Sequence, residues 1–257
     1  MMVIDRFCYR SGLRHVNTGV KFSYAMLTLF FCIISRSLLV SGIVLAVNGI
    51  LLVKKGKLPL CTFGRLMLIP LTFLLLSTIA LIINLSKTPL DGYAVSIGAW
   101  YLTGSRQSLM FAVQLISSAL AAVSCLYFLS LNTPMPDIMM TLEMLHCPEL
   151  LTELMLLIYR FIFVLMETAT AIQTSQKSRL GYRTFRTSLH SFGQMAAVLF
   201  IRALKRSDAL YDAMEARGYD GKIRVLKESN PPKRKEIISV MIFEAILLGI
   251  TVWRKWL

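Results

Sequence analysis

The sequence is poor in charged residues and in histidine. Charged side chains make up 16% of the 257 residues, whereas a soluble domain carries about a quarter. The five cysteines are scattered and never form a C-x-x-C pair, which argues against a disulfide framework and against a zinc site. The three histidines, His15, His146 and His190, lie far apart in the sequence. A soluble globular domain and a histidine-based metal site are therefore not expected.

Signatures for nucleotide and nucleic-acid binding are also missing. No G-x-x-x-x-G-K-S/T loop occurs, and the nearest string, Lys55-Gly56-Lys57, lacks the first glycine and the hydroxyl. No RNA- or DNA-binding motif accompanies the positive charge. We therefore expect no cofactor bound to this chain and no nucleic-acid partner.

Apolar residues dominate what is present. They make up 56% of the chain, the mean hydropathy is +0.63, and 28 lysines and arginines face 14 acidic residues. A net charge of +14 on such a hydrophobic chain is typical of a membrane protein with basic cytoplasmic loops. Membrane lipid is thus an expected partner.

Five apolar runs predict membrane-spanning helices. They lie at 20–35, 38–53, 66–85, 109–131 and 237–252. Only Ser35–Ser37 separates the first two, so they form a tight hairpin or one helix bent at that point. The hairpin is favoured, because one straight helix of this length would overshoot the bilayer. The positive-inside rule places the amino-terminus and the 54–65 loop in the cytoplasm, with Arg36 and the 86–108 loop outside. The predicted location is the cell membrane of a bacterium or archaeon, crossed several times.

The character of the chain changes between 132 and 235. Pro148 opens a long helical pattern, and a second amphipathic helix, Ser191–Gly218, follows a break at Gly181–Ser188. Basic residues strongly exceed acidic ones from 173 to 235, which places this region in the cytoplasm. The sequence therefore predicts three parts: amino-terminal membrane helices (1–131), a cytoplasmic or interfacial region of long amphipathic helices (132–235), and a carboxyl-terminal membrane helix (236–257).

The segment 205–224 carries the most informative single residue. Gly218 is expected to end the second amphipathic helix, because glycine tolerates the left-handed conformation. Arg217 then lies in the last turn, on the side of the apolar stripe. One interpretation is a cation that complements the helix dipole, and the other is a docking residue for a partner protein.

Two motifs carry a resemblance to a known family. Ser178–Arg183 and Ala213–Gly221, read together, resemble the transmembrane T component of energy-coupling factor (ECF) transporters, and more narrowly its CbiQ branch, associated with cobalt uptake. The similarity extends over most of the chain, to Asp5-Arg6, Arg14, Lys21, Thr133-Pro134-Met135 and Tyr159-Arg160-Phe161.

The resemblance implies an all-α integral membrane protein, a bundle of about five transmembrane helices with long cytoplasmic amphipathic coupling helices. Each coupling helix ends in a short X-Arg-X motif that docks on one of two ATP-binding-cassette ATPase subunits, which bind the ATP. The matching residues are Ser178, Arg179, Leu180, Ala216, Arg217 and Gly218. Leu180 departs from the small-Arg-small form. The other implied partner is a substrate-binding membrane S component resembling CbiM, and the implied cargo is cobalt.

Several alternatives remain open at this point. Nickel or a vitamin is carried with the help of related T components. A membrane enzyme that uses Glu153, Glu167 or Glu244 as an acid or base would need a second converging polar group, and no motif supplies one. A free-standing carrier would need more polar residues within the spans. The basic amphipathic helices could also lie on anionic lipid. The expectation is a non-catalytic membrane subunit of a transporter.

Overall fold

The computed structural model describes residues 3–82, 84–86, 93–97, 100–104, 106–221 and 231–256. Its helices are α1 (Val3–Arg10), α2 (Thr18–Ser35), α3 (Leu38–Ile50) with a π-helical turn Leu51–Lys55, α4 (Leu60–Ile82), α5 (Arg106–Asn132), α6 (Met135–Met144), α7 (Glu149–Ser178), α8 (Phe185–Glu215) and α9 (Arg234–Trp256). Parts of the predicted 86–108 loop and residues 222–230 of the predicted basic region lie outside the described residues.

Five helices within these ranges are long and apolar enough to cross a membrane. They are Thr18–Ser35, Leu38–Lys55, Leu60–Thr78, Ser108–Asn132 and Arg234–Trp253. The predicted all-α membrane protein with about five spanning helices is thus confirmed. Helix α7 is not among the five, in agreement with its amphipathic pattern and its charged residues Arg160 and Glu167.

Two of the predicted element limits were wrong. The third apolar run was placed at 66–85, but α4 starts six residues earlier, since Pro59 accepts the first helical hydrogen bonds, from Thr62 and Phe63. Asn84–Ser86 then forms a strand, β1, which pairs with β3 (Trp100–Gly104), and β3 pairs with β2 (Tyr93–Ile97). Both pairs are antiparallel. The connection between α4 and α5 thus contains a small three-stranded sheet.

The chain divides into two units, and the first comprises Met1–Ile138 with Ser229–Leu257. Within it α5 packs against α2, α3 and α4. The predicted hairpin is confirmed: α2 ends at Ser35, Arg36 adopts a left-handed conformation (φ 42°), and α3 starts at Leu38. A buried core cluster joins four helices through Cys32, Val40, Val44, Ala121, Cys125 and Leu247.

Hydrogen bonds between helices supplement this apolar packing. Asn48, on α3 and fully buried, accepts a hydrogen bond from the Tyr24 hydroxyl (2.8 Å). Its amide donates to Ser124 Oγ (3.0 Å) and lies 3.3 Å from Cys125 Sγ. Helices α2, α3 and α5 are therefore fixed to one another by a single side chain, as expected where small and polar residues mediate packing in a membrane.

The second unit is Met139–Glu228, and within it α7 contacts α8. Pro148 directly precedes α7, as the sequence predicted. Helix α8 begins at Phe185, within the stretch Gly181–Ser188 that was predicted as a break. The physical reason is a capping box, in which Thr184 Oγ1 accepts from the Thr187 N–H and Thr187 Oγ1 accepts from the Thr184 N–H. The predicted three-part division of the chain stays a prediction.

Candidate functional site

Helix α7 ends in a Schellman turn that contains Arg179. The Leu180 N–H donates to the Lys177 carbonyl (3.0 Å), and the Gly181 N–H donates to the Gln176 carbonyl (2.9 Å). Leu180 takes the left-handed conformation (φ 58°) that this turn requires. Arg179 is thus the residue immediately before the chain reverses.

Helix α8 ends in the same turn, with Arg217 in the equivalent place. The Gly218 N–H donates to the Glu215 carbonyl (2.9 Å), and the Tyr219 N–H donates to the Met214 carbonyl (3.0 Å). Gly218 has φ 75°, and glycine adopts this conformation without steric cost. Regular helix ends at Glu215 and the turn continues to Gly218, so the predicted stop at Gly218 marks the turn and not the last helical residue.

All six predicted docking residues lie at these two turns and all are exposed: Ser178, Arg179, Leu180, Ala216, Arg217 and Gly218. Among the described side chains, neither guanidinium makes a hydrogen bond or an ion pair. The two arginines therefore have their donors available for an external acceptor. Whether a partner uses them is not tested by this geometry and stays a prediction.

The turn that contains Arg179 is braced against the first part of α8. The Tyr182 hydroxyl donates to Gln176 Oε1 (2.8 Å), and Gln176 Nε2 donates to the Ser191 carbonyl (2.9 Å). Ser191 Oγ donates to the Gly181 carbonyl (2.9 Å). A Cβ on Gly181 would lie 2.7 Å from Ser191 Oγ, so only glycine permits this close approach. These contacts link residues on both sides of the turn and restrict its movement.

The turn that contains Arg217 is connected to the beginning of α7. The Tyr219 hydroxyl donates to Glu153 Oε2 (3.3 Å). Partial burial, followed by the Glu153 carboxylate, raises the pKa of Tyr219 above its usual value. Like any tyrosine, Tyr219 is protonated at neutral pH, and the raised pKa extends the pH range over which it donates this hydrogen bond.

This contact also separates the two arginines in space. Glu153 lies near Tyr219, two residues beyond Arg217, whereas Arg179 lies 26 residues further along the helix and turn that follow Glu153. A helix rises 1.5 Å per residue, so the two guanidinium groups lie on the order of 40 Å apart. The structure does not bring the two motifs together; it places them at distant points of one unit.

Sequence reasoning missed the residues that hold the turns in place. Gln176, Ser191 and the pairing of Tyr219 with Glu153 carried no recognisable signal, because each contact depends on helix packing. Gly181 was noted only as a helix break. Its neighbour Tyr182 belongs to the Ser178–Arg183 motif, which could have suggested a structural role.

The acidic residues that an enzyme would need occupy separate environments. Glu153 accepts the Tyr219 hydrogen bond, Glu167 is exposed on α7, and Glu244 is 8% exposed on α9. Within the described part of the chain, no three side chains of histidine, cysteine, aspartate or glutamate come close enough to hold a metal ion. The second unit instead presents two exposed arginine side chains on helix-end turns that main-chain hydrogen bonds hold in place.

Comparison with known proteins gives the family. The family model described as CbiQ, cobalt transport protein, matches residues 10–228. The cobalt transport protein CbiQ of Salmonella typhimurium is 31% identical, over 86% of this chain and 98% of that protein. The putative fused cobalt transport protein CbiMQ of Methanocorpusculum labreanum is 30% identical, over 96% of this chain and 41% of that longer protein.

A more distant relative is the energy-coupling factor transporter transmembrane protein EcfT of Lactococcus lactis, which is 28% identical over 64% of this chain and 66% of that protein. The relatives are transport components, and the match covers both structural units. The five helices long and apolar enough to span a membrane agree with the family match. The chain is a multi-pass membrane protein that belongs to the CbiQ family of cobalt transport proteins.

Proposed function

We propose that this chain is the non-catalytic T component of an ECF-type ATP-driven importer, and that Arg179 and Arg217 dock on two ATP-binding-cassette ATPase subunits. The observation that carries the proposal is the pair of alike helix ends, each presenting an exposed arginine, roughly 40 Å apart on one unit. One small ligand could not reach both guanidinium groups. Two separate protein subunits could.

Arginine suits such a contact for chemical reasons. Its planar fork donates two parallel hydrogen bonds to a carboxylate, and it stays charged when a partner removes water from it. Ala216 and Gly218 on either side of Arg217 leave room for the partner's backbone, whereas Leu180 beside Arg179 offers an exposed apolar side chain (66% exposed). The two turns therefore present different surfaces. Each of the two ATPase subunits is expected to prefer one of the turns.

The remaining partner is a substrate-binding membrane subunit. A relative described as a fused CbiMQ protein supports a CbiM-like S component. Cobalt is the proposed cargo, because the family and the relatives from Salmonella typhimurium and Methanocorpusculum labreanum are described as cobalt transport proteins. Nickel or a vitamin is the alternative, since EcfT proteins are also relatives.

The proposed orientation follows from the positions of the charges. ATP is available in the cytoplasm, so α7, α8 and both arginine-containing turns are placed on the cytoplasmic side, together with the amino-terminus. The exposed lysines and arginines of α8 and of residues 54–65, which join α3 to the first turn of α4, agree with this side of the membrane. ATP binds the partner subunits, and closure of the ATPase pair moves the two turns.

The experiment is an affinity purification of the tagged chain from its native membranes. Arg179→Glu and Arg217→Glu are compared with the wild type and with Arg206→Glu, an exposed arginine on α8 outside both turns. The wild type and Arg206→Glu should co-purify with an ATPase pair and a small membrane partner. Each turn variant should lose about a hundredfold in ATPase affinity, because charge reversal removes a charge-assisted contact of about 3 kcal/mol.

Two further readouts test the coupling itself. Cobalt uptake should be lost in Arg217→Glu and intermediate in Arg217→Lys, which keeps the charge without the fork. Unchanged uptake in Arg217→Glu would contradict the proposal. Transport by the purified chain alone in ATP-free vesicles would instead favour the free-standing carrier.

A further inference from the structure

A cavity of about 250 Å³ lies in the first structural unit, and none of its lining residues belongs to the arginine-containing turns. It is bordered by the end of α2, by Arg36 at the corner of the α2–α3 hairpin, and by one stripe of α5. The stripe runs from Phe111 to Ala122. No function assigned above uses this cavity.

The cavity lining combines three polar side chains, Arg36, Gln114 and Ser118, with five apolar ones. Arg36 and Gln114 lie toward the hairpin corner, where α2 ends. Ala119 and Ala122 lie deeper along α5, next to the buried core residue Ala121. A cation together with small apolar side chains in one cavity matches an amphiphile with an anionic head and a hydrocarbon tail.

The dimensions agree with one lipid chain. The eleven helical steps from Phe111 to Ala122 extend about 16 Å, close to half of the ~30 Å hydrocarbon core of a bilayer. The groove therefore has about the depth of one leaflet. A second helix, with a diameter of about 10 Å, would not fit into 250 Å³ over that length.

Electrostatics select an anionic head group. Among the described side chains, none forms an ion pair with Arg36. Arg36 directly follows the last residue of α2. An arginine at the end of a membrane helix can extend its guanidinium to the membrane surface. A guanidinium donates two hydrogen bonds to a phosphate, and the Gln114 amide can supply a third donor.

We propose that this cavity is a binding site for an anionic phospholipid, whose phosphate contacts Arg36 and whose acyl chain occupies the groove over Ser118, Ala119 and Ala122. The proposal is independent of the docking function of Arg179 and Arg217. It also assigns a role to Arg36, which takes a left-handed conformation (φ 42°) that glycine or asparagine would adopt more readily.

The test uses the purified full chain and native mass spectrometry. Delipidated protein is incubated with phosphatidylglycerol or with phosphatidylcholine at equal concentration. The wild type should retain one phosphatidylglycerol, and phosphatidylcholine should bind at least tenfold more weakly, because its head group has no net charge. Inorganic phosphate at the same concentration should not displace the lipid.

Three variants sharpen the result. Arg36→Asn removes the cation but suits the left-handed corner, so the hairpin should still form, and phosphatidylglycerol should bind at least tenfold more weakly. Ala122→Leu fills the groove and should reduce retention of the lipid while Arg36 remains. Arg106→Gln is the matched control, since Arg106 is exposed at the start of α5 and does not line the cavity.

Three outcomes would overturn the proposal. The first is equal retention of the two lipids by the wild type. The second is an equal loss in Arg36→Asn and Arg106→Gln, which would indicate a general effect of surface charge. The third is displacement by inorganic phosphate, which would indicate a simple anion site.

Discussion

The hydrogen bond between Tyr24 and Asn48 offers a direct test of how the membrane bundle is held together. The two side chains are 5% and 0% exposed, and their oxygen atoms lie 2.8 Å apart. Hydrogen bonds between membrane helices contribute about 0.6 kcal/mol on average and up to about 1.7 kcal/mol. Because this contact is short and sealed from water, its coupling energy should lie near 1 kcal/mol. Asn48→Leu also removes the contacts with Ser124 and Cys125, so this variant should be destabilised by about 2 kcal/mol in total.

A double-mutant cycle isolates the Tyr24–Asn48 term. Tyr24→Phe, Asn48→Leu and the double variant are unfolded by sodium dodecyl sulfate in mixed micelles, and the free energies of unfolding are compared with the wild type. The double variant should be less destabilised than the sum of the single variants by about 1 kcal/mol. Tyr24→Phe combined with Thr78→Val, a buried hydroxyl on α4 that bonds within its own helix, should be additive. Additivity within about 0.3 kcal/mol for Tyr24 and Asn48 would refute the idea that this bond stabilises the bundle.

Two further predictions concern the second unit. Gly181→Ala should lower the melting temperature, because the new Cβ would lie 2.7 Å from Ser191 Oγ, and overpacking of this kind costs about 1–3 kcal/mol; Gly193→Ala, with open space around it in the middle of α8, should raise it. A destabilised Gly193→Ala beside an unchanged Gly181→Ala would contradict this reasoning. The contribution of Tyr219 to stability should be complete below its unfolded pKa of about 10 and should be lost as the pH rises through its raised folded pKa. Absorbance at 295 nm, taken as the difference between the wild type and Tyr219→Phe, should show this late titration, and Glu153→Gln should move it to lower pH; titration of the wild type at or below pH 10 would rule out the contact.

The membrane helices could be predicted from the sequence because their signal is local. An uninterrupted apolar run leaves the backbone no polar partner other than its own carbonyls, so helix follows from composition alone. The α2–α3 hairpin needed only the break at Ser35–Ser37. The start of α4 was not predicted, because the 60–65 segment is polar enough to resemble a loop. Pro59 nevertheless begins the first hydrogen-bonded turn of the helix. The strand at Asn84–Ser86 escaped because its pairing partner lies fifteen or more residues away.

The candidate site divides in the same way. Gly218 indicates a residue in the left-handed conformation, so the end of α8 could be predicted to within three residues. Leu180 gives no such indication, because a leucine with positive φ is uncommon. The turn at the end of α7 could therefore not be predicted from this residue. The hydrogen bond of Tyr219 with Glu153 joins residues 66 apart in the sequence and depends on how α7 and α8 pack. The two arginines could be identified from the sequence. The distance between them follows only from the packing of α7 against α8.

The two Schellman turns have a consequence for how this protein can change. Each turn is closed by main-chain hydrogen bonds, from Leu180 and Gly181 in one case and from Gly218 and Tyr219 in the other. The arginine side chain supplies none of them, so the helix end forms whatever side chain stands there. In the docking function proposed above, folding and recognition would use different atoms of the same residue. Under that proposal, substitutions at Arg179 and Arg217 would alter the choice of partner without endangering the fold, because the hydrogen bonds that close each turn come from the main chain.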